Sequence, residues 1–142
     1  MTPILRNVLG VIAGWLIGGA VNMGIVLLGH GILPIEGVNP NDVEALAKAM
    51  PGLGAEYFIF PFLAHALGTL VGATAAGFIA ATHKIKIALI IGVLFLAGGI
   101  TACFMIPAPG WFIAADLLLA YIPMAWIGGK VAAVNSRKVS TG

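Results

Sequence analysis

The sequence predicts an all-α membrane protein, a four-transmembrane-helix bundle with a short amphipathic helix in the first external loop. Three observations predict it. Of 142 residues, 61% are hydrophobic and 8% charged, whereas a soluble domain carries about 25% charged residues, so this chain has too few charges to cover itself with a solvated surface. Four apolar runs are each long enough to cross roughly 30 Å of bilayer hydrocarbon as a helix. The lysines and arginines then fall almost entirely on one side of a four-span arrangement, as the positive-inside rule requires. The whole chain, 1–142, reads as a single membrane domain.

Span 1 covers about residues 8–29. Arg6 followed by an apolar run resembles a secretory signal, but the run continues well past the 7–15 residues or so of a signal core, which predicts an uncleaved first span. Gly10, Gly14, Gly18 and Asn22 recur every fourth residue. They line one helix face with small groups and end it on an amide. In lipid, helices associate through close backbone approach rather than through hydrophobic drive, so this is a packing face. Gly19 and Gly24 add further thin places.

Residues 30–56 form the external loop, with Glu36, Asp42, Glu44 and Glu56 against Lys48 alone. Asn39-Pro-Asn-Asp has the form of a helix start, with Asn39 or Asn41 as cap. Val43, Leu46, Ala47 and Met50 follow at i, i+3, i+4 and i+7, one apolar face of a short helix that Pro51-Gly52 ends. Such a helix lies on the membrane surface or caps the bundle.

Span 2, about 57–81, has no formally charged residue. Ala64, Gly68, Gly72, Ala76 and Ala80 form a second small-residue line. His65 shares a face with Thr69 and Gly72, and Pro61 sits in the first turn, where its missing donor costs little. Thr82-His83-Lys84-Ile85-Lys86 makes a tight basic connection. Span 3, about 87–106, carries Gly92, Gly98, Gly99 and Thr101, and Pro107-Ala-Pro-Gly110 is a turn. Span 4, about 111–131, contains Asp116, the only acid in a span, followed by Tyr121 and Pro123. Pro123 cannot donate to the Leu119 carbonyl, which leaves a free acceptor near Asp116. Residues 132–142 are assigned to a cytoplasmic tail, polar and disordered from Asn135 onward.

Arg6, Lys84, Lys86, Lys130, Arg137 and Lys138 fall on one side and Lys48 on the other. This places both termini in the cytoplasm and the acidic loop outside. Tyr57, Phe58, Trp111 and Phe112 mark the outer interface and Trp126 the inner one. At 1.5 Å per residue, Asn22, His65, Thr101 and Asp116 lie roughly 7–12 Å below the outer interface, on four different helices. An acid in hydrocarbon must be paired, neutralised or watered, and ionisable residues inside spans are functional-site candidates by default. The least costly arrangement points Asp116 at His65, with Asn22, Thr101, Thr69 and Tyr121 as the remaining candidates for the polar site. Interhelical hydrogen bonding alone is a competing explanation for the same residues.

Other chemistries have little support. Cys103, the single cysteine, allows no internal disulfide and no multi-thiolate metal site, and reads as a small packing residue. Haem between His30 and His65 is disfavoured because their depths differ, and zinc needs more ligands than His65 and Asp116 offer unless His30 and Glu36 fold inward. No cofactor or metal is expected. No serine lies in a span and no phosphate loop is present, which leaves hydrolase and nucleotide chemistry without a basis. No basic patch suits nucleic acid.

Phe60-Pro-Phe-Leu-Ala-His-Ala-Leu-Gly-Thr-Leu-Val-Gly72 and Asp116-Leu-Leu-Leu-Ala-Tyr-Ile-Pro-Met-Ala-Trp126 resemble segments of a family of small, four-span bacterial membrane proteins of unknown function. The resemblance covers most of the chain. It implies a bacterial inner membrane and no particular activity. The leading functional expectation is a non-enzymatic structural or accessory subunit that packs through its Gly/Ala faces in a membrane complex or homo-oligomer. The alternative is a small transporter or binding module that uses an outward-facing His65–Asp116 site for a small ligand or proton.

Overall fold

The computed structural model describes residues 1–39 and 41–140. Pro40, part of the expected helix start, and the last two residues of the expected tail lie outside the described residues. Helices dominate: α1 (Pro3–Ile32), α2 (Val43–Ala49), α3 (Ile59–Ile79), α4 (Lys84–Met105), α5 (Gly110–Leu119) and α6 (Ile122–Ser140), with short 3-10 turns at Met50–Gly52 and Ala55–Phe58. Four rods are long and apolar enough to cross a membrane: Pro3–Ile32, Ala55–Ile79, Lys84–Met105 and Gly110–Ser136.

Local chemistry sets the ends of these elements. α1 starts five residues before the expected boundary. Thr2 accepts a hydrogen bond from the Leu5 amide at 3.3 Å and Pro3 occupies the first turn, where a missing donor is harmless. α2 is capped by Asp42 rather than by Asn39 or Asn41. The Asp42 carboxylate accepts from Glu44 N at 3.1 Å and Ala45 N at 3.0 Å, while Asn39 accepts from Asn41 N and shapes the turn before it. The expected disordered tail is also corrected, since α6 continues as helix to Ser140. The fourth rod is not continuous. Pro123, the second residue of α6, has no N–H for the Leu119 carbonyl, and the chain turns at Ala120–Tyr121 between α5 and α6.

α3 is the centre of the bundle, packed against α1, α4 and α6. The two small-residue lines read from the sequence face each other. A Cβ on Gly14 would lie 2.5 Å from the Gly72 carbonyl oxygen and 2.7 Å from the Ala76 Cβ, and one on Gly18 would lie 2.6 Å from the Gly68 oxygen. Gly10 meets the Ala76 carbonyl in the same way, at 2.9 Å. Ala64 and Ala76 are fully buried. α6 docks by the same device: Gly128 against Leu70 and Thr74 of α3, and Gly129 against Ala88 of α4. The helix contacts are therefore built largely of Ala and Gly, with Ile91, Phe58 and Tyr121 the largest buried side chains, while Ile12, Leu16, Met23, Leu28, Val93 and Leu118 point outward. A large apolar exterior around a small-residue core is what a lipid-facing bundle requires.

Polar groups pin the end of the bundle that carries the termini. Arg6 Nε donates to the Ile79 carbonyl at 2.7 Å, and Asn7 Oδ1 accepts from Ala81 N at 2.9 Å. Lys84 Nζ donates to the carbonyls of Gly77 at 2.9 Å and Ala80 at 2.7 Å, the last turn of α3, where a cation complements the helix dipole. At the opposite end, Phe58 and Phe112, expected at the outer interface, pack against each other. Both are buried, with ring centroids 4.9 Å apart, and Phe58 meets Trp111 edge-on at 5.7 Å. This cluster clamps the start of α5 against the turn that precedes α3.

Candidate functional site

The aromatic clamp sets the register of α5 against α3, and that register brings Asp116 opposite His65. The His65 Nδ1 lies 2.8 Å from Asp116 Oδ1. The helix break after α5 turns Tyr121 back, so that its hydroxyl donates to Asp116 Oδ2 at 2.8 Å. Both carboxylate oxygens are thus occupied, and the Asp116 side chain is only 3% exposed. An acid this deep is tolerated because two donors replace the water it has lost. The Tyr121 ring is itself buried and lies 5.6 Å from the His65 ring, centroid to centroid. Gly99 of α4 makes room for this arrangement, since a Cβ there would collide with the Tyr121 hydroxyl.

Tyr121 donates to one oxygen of Asp116, and His65 Nδ1 pairs with the other, as the donor where that nitrogen carries the ring proton. That leaves Nε2 of His65, which makes no hydrogen bond among the described residues and is not sealed off. It is a lone-pair acceptor on a neutral imidazole and a donor on an imidazolium.

Two cavities meet at this histidine. The first, of about 230 Å³, opens between the loop and the adjoining helix ends; Leu46, Met50, His30 and Phe60 line its walls, with His65 and Asp116 deeper in. The second, of about 220 Å³, is a crevice between α1 and α4 lined by Trp15, Asn22, Phe95, Gly98 and Tyr121 together with His65. The first cavity's few polar groups are set in largely apolar walls, the usual make-up of a small-molecule site, whereas the crevice exposes polar and apolar surface in similar measure.

The structure gathers some of the residues predicted for the site and separates others. His65, Asp116 and Tyr121 form one hydrogen-bonded triad. Asn22 lines the crevice beside them without bonding to any of the three. Thr101 is corrected: it is exposed, and its hydroxyl donates to the Ala97 carbonyl of its own helix at 2.9 Å, because it sits on the α4 face turned away from α3. Thr69 is fully buried one turn after His65, yet among the described residues its hydroxyl makes no hydrogen bond and does not reach the triad. Gly72 is committed to α1. Cys103 is a half-buried residue on the first cavity's wall rather than an occluded packing residue. Gly99 and Phe60 were not singled out by sequence for the site. The glycine's spacing from Tyr121 across two helices carries no sequence signal, whereas Phe60 lies in the same turn as Pro61 and could have been read from it.

Among the described residues, no three His, Cys, Asp or Glu side chains converge to hold a metal ion. Comparisons with protein-family models, curated proteins and solved structures find no match to this chain.

Proposed function

We propose that this chain is a non-enzymatic, membrane-embedded binding module that takes up a small ligand beside His65, where the loop-end cavity and the α1–α4 crevice meet, and recognises it through that imidazole. One observation carries this reading: the accessible imidazole, braced by Asp116 and Tyr121, faces a cavity of about 230 Å³ whose walls are otherwise mainly apolar. Here a buried acid holds one histidine nitrogen and leaves the other free, which is how a recognition group is oriented. The excess of Lys and Arg at the termini supports a cytoplasmic location for both ends and an outward-facing cavity. A bacterial inner membrane is the setting the family resemblance suggests.

The test is native mass spectrometry of the protein released from its own membrane. A bound small molecule is expected on the wild type and lost from His65→Ala, whose fold is checked by circular dichroism. A species retained by His65→Ala would overturn the reading.

The second reading, an accessory subunit of a larger complex or homo-oligomer, rests on Gly19, Gly24 and Gly31. A Cβ at any of these would meet nothing within 4 Å, so they are thin places on α1 open to another helix. The Gly10, Gly14 and Gly18 line does not support it, because that line is used within the chain. Co-purification of a stoichiometric protein under mild detergent, lost on Gly24→Leu, favours this second reading.

A further inference from the structure

The loop-end cavity is not the only route to His65. The crevice between α1 and α4 reaches the same imidazole from the side of the bundle, and His65, Gly99 and Ala102 line both spaces. Its outer edge is formed by Trp15 and Leu94, 55% and 43% exposed, on the apolar flank that meets lipid in the proposed setting. Its inner wall carries two aromatic side chains, Phe95 and Tyr121, the latter with its ring 5.6 Å from the imidazole. It widens at Gly98, where a Cβ would meet nothing within 4 Å.

Building on the binding-module reading, we propose that the ligand is a lipid-soluble planar ring bearing a hydroxyl, of the phenol or hydroquinone class, and that it enters from the bilayer through the α1–α4 crevice. Three features select this class. The aromatic side chains offer ring faces for offset or edge contacts. Nε2 of His65 is the accessible nitrogen, and a hydroxyl satisfies it in either protonation state because it both donates and accepts. Among the described residues no lysine or arginine lines either cavity, so an anionic head has no counter-charge there, whereas a neutral hydroxyl needs none.

The experiment uses full-length protein in lipid nanodiscs, with Trp111→Phe and Trp126→Phe leaving Trp15 as the reporter. 2-Bromo-4-nonylphenol is titrated and bromine quenching of Trp15 followed, against its methyl ether as a probe of equal body without the donor. Saturable quenching is expected, with the phenol tighter by about tenfold, the value of roughly one unreplaced hydrogen bond. His65→Ala should abolish the preference. Gly98→Leu, which fills the crevice without touching the triad, should slow and weaken quenching by a similar factor, while Ala108→Leu on the loop-end cavity should not. Sensitivity to Ala108→Leu but not to Gly98→Leu would overturn bilayer entry and leave the binding-module reading standing. Equal binding of phenol and ether, with His65→Ala still weakening both, would overturn the hydroxyl class alone. No saturable quenching by either probe overturns the proposal, and the mass-spectrometric comparison then decides the underlying reading separately.

Discussion

His65 Nδ1 and Asp116 Oδ1 lie 2.8 Å apart although 51 residues separate them along the chain. The pair joins the central helix α3 to the broken fourth rod, and Tyr121 completes it from the break itself. A single apolar replacement therefore strands two donors rather than one.

That arrangement predicts energetic coupling. In a double-mutant cycle with His65→Ala and Asp116→Ala, the interaction energy should be roughly 1–2 kcal/mol, at the upper end for hydrogen bonds between membrane helices. Asp116→Leu should destabilise more than Asp116→Asn, which keeps an acceptor oxygen. Reversible unfolding in mixed detergent micelles measures both, and additive single mutants would refute the pairing.

Tyr121→Phe removes one hydroxyl and leaves Asp116 Oδ2 buried without a donor, with an expected loss of about 1–3 kcal/mol. Pro123→Ala tests how the hydroxyl is delivered. Restoring an N–H for the Leu119 carbonyl favours a continuous helix through Ala120 and Tyr121, which swings the phenol off Asp116. Its near-ultraviolet tyrosine signal should therefore shift towards that of Tyr121→Phe. An unchanged spectrum would mean that tertiary packing, and not the proline, holds the break.

Two glycines separated by one turn or so of α1 should respond oppositely to alanine. Gly14→Ala places a methyl 2.5 Å from the Gly72 oxygen, with backbone on the other side that cannot swing away. A destabilisation of roughly 1–3 kcal/mol is expected. Gly19→Ala meets open space and should be neutral or mildly stabilising, up to about 1 kcal/mol from helix propensity. Thermal denaturation in one detergent compares the two directly, and equal effects would argue against the α1–α3 interface.

His83 occupies the left-handed region, φ 51° and ψ 40°, at the start of α4. Histidine tolerates this better than most side chains, but a β-branched residue does not. His83→Val should lower stability by about 1–2 kcal/mol, whereas His83→Gly should hold or raise it. Thermal denaturation of the two variants distinguishes backbone strain from a side-chain role, since a side-chain role would make both harmful.

Much of this molecule is legible in one dimension because each rule involved is local. An acid among apolar residues must find a donor, and His65 is the obvious intramembrane base. The same spacing arguments correctly place Gly14 and Gly72 on packing faces. Thr101 misleads because depth along a helix says nothing of azimuth: it shares a level with Asp116 but points away and bonds its own backbone. Phe58 and Phe112 make a related point, since aromatic residues near a span end serve an interface, a clamp or both, and only their mutual contact reveals the clamp. The polar knot of Arg6, Asn7, Thr82 and Lys84 is invisible in sequence because its bonds join residues more than seventy positions apart as well as near neighbours.

Hydrophobicity, helical period and charge asymmetry are properties of the linear chain, and by themselves they determine four membrane-length helices, an acidic loop between the first two and the existence of small-residue packing faces. Which face meets which, that Tyr121 rather than Thr101 supplies the second donor to Asp116, and that two cavities converge on His65 were decided only by tertiary structure. The physical reason is that rotation about a helix axis is set by close packing between helices: the glycine contacts of α1 and α6 orient the rods around α3, and side-chain direction follows from that orientation.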